Sequence, residues 1–170
     1  RKANSLDETF SKMLGDIRKK LAKAILKDNN VEDIKSLSSY VQTIINRVLF
    51  IRVCESRGLE KEGLLKDFAQ NDFWAKFKTC SYVEFYDRYD GPLFKKKEEI
   101  QSLNIGNDVF VDFINWLYSH FPLTNMFAFF YFFNHFTALF FLQKKSVEFW
   151  FTHYSTLSRL LSPRGFLMIT

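Results

Sequence analysis

Glycine and proline are scarce, at six and three in 170 residues. That scarcity excludes the frequent tight turns of a β-sandwich or barrel and the glycine loops that cradle nucleotides, so an α-rich chain is expected. Two cysteines, Cys54 and Cys80, and three histidines, His120, His135 and His153, are too few for a disulfide framework or a four-ligand zinc site. The thiols are expected to be free, in a reducing cytoplasm. No signal peptide opens the sequence, and its first residue is Arg1 rather than Met, so a fragment of a longer protein is expected. What the chain does have is a composition 47% hydrophobic and 25% charged, enough apolar side chain to bury a core and to exclude a wholly disordered protein.

Charge is unevenly spread. Residues 1–110 hold 20 Lys and Arg against 17 Asp and Glu, whereas no charged residue lies between Phe113 and Gln143. Eleven of the 21 Phe fall between Phe121 and Phe151. A boundary near Tyr118 to Phe121 follows, with a helical domain over 1–120 and a Phe-rich tail over 121–170. The net charge of +5 permits contact with polyanions, yet interspersed acids dilute it in the first part, so charge alone does not assign a partner.

Five helices are predicted in the first part. Ser5 and Glu8 form a capping box, followed by a stripe of Leu6, Phe10, Met13, Leu14, Ile17, Leu21 and Ile25 that ends at Asp28-Asn29-Asn30. Ser38 or Ser39 can cap a second helix. Its apolar positions from Val41 to Val53 cover more than one face, which marks it as central, and Gly58 closes it. Leu64, Leu65 and Phe68 suggest a short third helix. Asn71 can cap a fourth, carrying Phe73, Trp74, Phe77, Phe85 and Tyr89 up to Gly91-Pro92, which cannot continue it. After a solvated Lys95–Glu99 stretch, Asn107 or Asp108 opens the last, with Val109, Phe110, Phe113, Ile114 and Leu117. The fold class is therefore all-α: an irregular bundle of about five helices, then a Phe-rich C-terminal segment expected to be helical.

Few residues suggest chemistry. Arg18, Lys19, Lys20, Lys23 and Lys27 make the exposed face of the first helix basic, and such a face can neutralise DNA phosphates; a plain solvated face is the alternative, and Asp7, Glu8 and Asp16 favour it. Arg47, Arg52 and Glu55 lie in an otherwise apolar helix where a buried charge requires a partner, and Arg52 with Glu55, one turn apart, is expected to be a structural ion pair rather than a catalytic one. Asp87 and Asp90 have no ligating histidine nearby and are taken as surface charge, and the three histidines as packing groups. No catalytic, cofactor or metal residue is assigned.

Three pieces nevertheless form a set: Arg47-Val-Leu-Phe-Ile-Arg52-Val-Cys-Glu55-Ser-Arg57-Gly58, Asp87-Arg-Tyr-Asp-Gly91-Pro-Leu93-Phe94 and Ile114-Asn-Trp-Leu117-Tyr118. In that order they resemble the helical region preceding the methyltransferase domain of bacterial type II restriction–modification enzymes that combine an endonuclease with an adenine-specific methylase. The resemblance covers roughly residues 5–118. It implies an upstream nuclease part, a helical connector, and a downstream Rossmann-like domain that uses S-adenosyl-L-methionine to methylate a flipped adenine. The family's glycine-containing cofactor motif and Asn-Pro-Pro-Tyr type motif have no counterpart here, since Pro92, Pro122 and Pro163 stand apart. The chain alone is thus expected to be inactive, scaffolding the adjoining nuclease and methylase parts and acting on DNA through the parent enzyme.

The family pattern stops after Tyr118. Residues 121–142 admit three readings: a transmembrane helix with Lys144-Lys145 at its cytoplasmic end, a disrupted reading frame, or a native buried helix pair. The membrane reading carries the alternative function, a small membrane-anchored helical protein with a partner-binding soluble part.

Overall fold

A computed structural model describes residues 2–89 and 93–120, excepting the side chains of residues 2–8, 10 and 11. The chain divides into two units, Arg1–Met126 and Phe127–Thr170, and all described residues lie in the first. They form helices and loops, with no strand among them.

Helix α1 (Lys2–Asp28) buries Leu14, Ile17, Leu21 and Ile25 at three- and four-residue spacings. Each such side chain removed from water contributes about 1.5–3 kcal/mol. The helix is already under way before Ser5, so Ser5 does not open it. Extending an existing helix adds one hydrogen bond per residue fixed, and Lys2 and Ala3 are good helix formers, which outweighs the local cap. Leu6 and Phe10 belong to the side chains outside the described set.

Helix α2 (Ile34–Ser56) starts earlier than the serines suggested. Asp33, in extended backbone, accepts from the amides of Lys35 at 2.7 Å and Ser36 at 2.9 Å, and Ser36 Oγ donates to its other oxygen at 2.8 Å. The Ser36 amide and hydroxyl hold this carboxyl below its ordinary value. An ionised cap at the positive end of the helix outcompetes Ser38 and Ser39, which fall inside it. At the other end Gly58 has φ +71°. Its amide donates to Glu55 O at 3.0 Å and that of Leu59 to Cys54 O at 2.9 Å, a paired closure that requires the left-handed residue. Between these ends eleven residues of α2 are buried, so it is the central rod the sequence indicated.

Helix α3 (Leu64–Ala69) buries Leu65 and Phe68, and α4 (Phe73–Cys80) follows at once, capped by Asp72 rather than Asn71. Asp72 Oδ1 accepts from Ala75 N at 3.1 Å, while the Asn71 amide is still spent on Phe68 O of the preceding turn. A π turn over Ser81–Phe85 then leads into α5 (Tyr86–Tyr89). The sequence predicts one continuous helix here but not the π turn. Phe73, Phe77, Ser81 and Phe85 are all buried at strict four-residue spacing. In an α-helix of 3.6 residues per turn each such step over-rotates by about 40°. A wider turn rotates less per residue, and this one brings Phe85 back onto the line. Ser81, wholly buried, satisfies its hydroxyl on Phe77 O at 2.6 Å.

Beyond the loop, α6 (Glu98–Gln101) interrupts what the sequence presented as plain solvated chain, though Lys95 to Glu99 are indeed exposed. The last helix, α7 (Asp108–His120), buries Val109, Phe110, Phe113, Ile114 and Leu117 as expected. It packs on α1 and α3, and Phe110 stacks on Phe73 at 4.5 Å and on Trp74 at 5.9 Å. Two asparagines knit the loops. Asn29 donates to Asn104 O at 2.7 Å and accepts from Asn104 N at 2.8 Å. Asn107 accepts from Phe73 N at 2.8 Å and donates to Ala69 O at 3.0 Å, tying the start of α7 to the α3–α4 junction.

Candidate functional site

The basic face of α1 is only partly assembled as the sequence suggested. Lys19, Lys23 and Lys27 are exposed at successive four-residue steps, which keeps them within about 80° of one another around the helix axis. Lys20 is exposed too, but its Nζ lies 3.0 Å from Asp112 Oδ2 on α7. A pair this open to water contributes little stability. Arg18 leaves the face: it is half-buried toward α2, its Nη2 donates to Gln42 Oε1 at 3.2 Å, and burial lowers its guanidinium below the ordinary value. Asp16, exposed among these lysines, is one of the acids that dilute them, and the side chains of Asp7 and Glu8 lie outside the described set.

The charged residues of α2 do something different. Glu55 has no exposed side-chain surface, and Arg52 Nη1 approaches its Oε2 at 3.0 Å. Glu55 Oε1 also accepts from the Leu65 amide at 2.9 Å and the Tyr118 hydroxyl at 2.6 Å, and that hydroxyl reaches Oε2 as well. One carboxylate thus gathers α2, α3 and α7. Tyr118 is covered by cations, with Arg52 Cζ 4.0 Å and Lys66 Nζ 4.5 Å from its ring centroid. Burial raises the Glu55 carboxyl above its ordinary 4.5, against the hydrogen bonds from Tyr118 and Leu65 and the Arg52 charge. Burial and Glu55 likewise push the Tyr118 phenol up.

Arg47 is the second node, 1% exposed. Its Nε donates to Leu93 O at 2.7 Å, Nη2 to Lys95 O at 3.0 Å and Nη1 to Tyr82 Oη at 3.1 Å. Its guanidinium lies 5.0 Å from the Tyr82 centroid and 5.8 Å from that of Phe94. A third node lies beside it. The Tyr89 hydroxyl donates to Glu60 Oε1 at 2.5 Å, and Arg88 pairs with the same oxygen. The Tyr89 ring meets Phe50 edge-on at 5.1 Å. Burial pushes the neighbouring Cys54 thiol up to about 12, so it remains protonated and serves as apolar filler. Cys80 is pushed up to about 11, by burial and by Glu84.

These nodes convert the three sequence pieces into one object. Arg47, Arg52 and Glu55 come from the first piece, Arg88, Tyr89, Leu93 and Phe94 from the second, and Tyr118 from the third. Sequence reasoning placed Arg52 and Glu55 together but missed Tyr82, Glu60 and Tyr118 as partners. The available signal was an arginine at an apolar position, which demands acceptors from elsewhere in the chain.

Among the described residues no group of three or more His, Cys, Asp or Glu could hold a metal ion. Asp87 is exposed, Asp90 lies outside the described residues, and so do His135 and His153. His120 is exposed, stacked on Trp116 with centroids 5.0 Å apart. A cavity of about 530 Å³ between the α1–α2 turn and α6 is bordered by Asp28, Glu32 and Glu99, a sign of charge unsuited to phosphate. Among the described residues no glycine loop of the kind that would hold S-adenosyl-L-methionine is present. Gly58 and Gly63, at φ +71° and +81°, serve helix boundaries rather than a cofactor loop, and no strand precedes such a loop among the described residues. No helix of the described residues is long and apolar enough to cross a membrane, and residues 121–142 lie outside them.

The fold and its nodes define a helical scaffold whose buried charges hold its own rods together. The chain is similar to the type II restriction enzyme and methyltransferase RM.Eco57I of Escherichia coli, 33% identical over 115 residues. That match covers 67% of this chain and only 11% of the relative, and it bears out the likeness to restriction–modification enzymes read from the three pieces. No family model matches the chain. No solved structure matches it either.

Proposed function

We propose that this chain is the helical connector of a restriction–modification enzyme, acting in the cytoplasm between a nuclease part and an adenine-specific, S-adenosyl-L-methionine-dependent DNA methyltransferase part. The domain proper spans residues 1–120. Its own work is mechanical: it holds neighbouring parts in fixed relation and lends phosphate contacts. The observation that carries this reading is the similarity to a restriction enzyme and methyltransferase over 115 residues; the buried polar residues of the helical unit, spent on bonds between helices, support it. Arg52 and Glu55 act here as a structural ion pair and take no part in catalysis.

The phosphate contacts are assigned to the solvent face of α1, principally Lys19, Lys23 and Lys27. Lys20 joins them when it exchanges Asp112 for a phosphate. Arg18, turned from α1 toward α2, stands apart from this group. Each lysine that neutralises a phosphate releases condensed counterions, so affinity falls with salt in proportion to the number of contacts. Titration of the full chain against a short DNA duplex over a range of salt concentrations checks this. The K19Q/K23Q/K27Q variant is expected to bind more weakly at low salt, with the slope of log affinity against log salt reduced by about 2–3. Wild-type protein that binds no duplex at low salt, or a variant with an unchanged slope, contradicts the assignment.

A further inference from the structure

We propose that the Leu93–Lys97 segment, held on the buried Arg47, is a second receptor for DNA backbone phosphates, separate from the face of α1. The inference rests on the reading that this chain works against DNA.

Arg47 is almost fully buried, yet the acceptors that it engages, Leu93 O, Lys95 O and Tyr82 Oη, are all neutral. Among the described residues no carboxylate forms an ion pair with it. A charge kept in low dielectric, with neutral acceptors alone among the described residues, projects its field further than one in water. The exposed run Lys95-Lys96-Lys97 begins at one of the acceptors of Arg47, Lys95 O. Burial and the Arg47 charge hold the Lys97 ammonium below its ordinary value, with Glu99 opposing, so the two cations sense one another.

The backbone adds donors. No cis peptide bond occurs among the described residues, and in a trans peptide the N–H points opposite to the C=O. By drawing the carbonyls of Leu93 and Lys95 inward, Arg47 turns the amides of Phe94 and Lys96 away from itself. Neither amide donates to another group among the described residues. A Lys96 amide turned away from Arg47, within a run of three exposed lysines and next to a buried guanidinium, is an arrangement that binds oxyanions. The fork geometry of arginine is what fixes two carbonyls at once. Glu98 and Glu99 follow directly, so the receptor is bounded on that side and suits a phosphate arriving at Lys95–Lys97 rather than a broad anionic surface.

The same duplex titration with the full chain tests the inference through three variants that alter exposed lysines: K95Q/K96Q/K97Q, K19Q/K23Q/K27Q and the control K35Q/K76Q. The loop variant is expected to keep the wild-type melting temperature, bind several-fold more weakly at low salt and lose about 2–3 from the salt slope. The control is expected to leave the slope unchanged. Wild-type affinity and slope in the loop variant, with both lowered in the α1 variant, overturn the second receptor and leave the α1 assignment standing. The reverse pattern supports the receptor and removes the α1 assignment. A control that lowers the slope as much per charge as the loop variant reduces the effect to net charge and overturns the inference. Absence of wild-type binding at low salt overturns both assignments.

Discussion

Replacing Glu55 by Leu is expected to destabilise the helical unit by about 3–5 kcal/mol, the range for removing one partner of a buried ion pair. Three groups lose this acceptor at once: the Arg52 guanidinium, the Leu65 amide and the Tyr118 hydroxyl. The last two belong to α3 and α7, so the loss is one of helix assembly as well as charge. Urea unfolding followed by circular dichroism should show a lower midpoint at an unchanged m-value, and a loss below about 1 kcal/mol would mean that the carboxylate is incidental. Glu55→Gln keeps an acceptor and removes the titration. The carboxyl stands above its ordinary 4.5 in the folded protein. The folded state therefore binds the proton more tightly than the unfolded state, and the share of stability due to Glu55 rises as pH falls through the folded value toward 4.5. Wild-type protein should accordingly gain stability relative to Glu55→Gln on acidification across that window.

Arg47→Met is expected to cost about 3 kcal/mol, since bonds from a charged donor contribute about 1.5–3 kcal/mol each and three are lost, with partial relief from water. Exchanging a buried charge for an apolar group is often neutral when its partners can be exchanged too. Here two of the partners are the backbone carbonyls of Leu93 and Lys95, which no substitution removes. Lysine is a poor replacement, because a point charge cannot hold both carbonyls as the planar fork does. Trypsin should then cleave faster after Lys95, Lys96 or Lys97 in both Arg47→Met and Arg47→Lys. Wild-type cleavage rates in Arg47→Lys would show that charge alone anchors the loop.

What was legible in the sequence was periodic and local. Leu14, Ile17, Leu21 and Ile25 announce one buried stripe of α1, and Gly58 announces the left-handed closure of α2, because helical rotation and the missing side chain act at the positions themselves. Cap choice was less legible: Asp33 outcompetes nearby serines as an ionised cap at the positive end of its helix, and Asp72 outcompetes Asn71, whose amide is still spent on the preceding turn. The π turn was written in the four-residue spacing of Phe73, Phe77, Ser81 and Phe85, which in a regular α-helix drifts around the axis by about 40° at each step. The partners of Arg47 lie 35 to 48 residues away and that of Lys20 lies 92 away, so no local pattern could assign them. The three pieces that resemble restriction–modification enzymes were visible as a set, and the structure supplies what joins them: the carboxylate, guanidinium and phenol of one piece are satisfied by another.

That mutual dependence between α2 and α7 is open to one direct measurement, a double-mutant cycle of Glu55→Leu and Tyr118→Phe in the full chain, read by urea unfolding. A coupling energy of about 1–2 kcal/mol, with the double variant less destabilised than the sum of the single variants, is the result expected of a hydrogen-bonded pair within a shared charged network. Additivity within about 0.5 kcal/mol would mean that the two residues contribute independently, and would contradict the description of this region as a scaffold locked by its own buried charges.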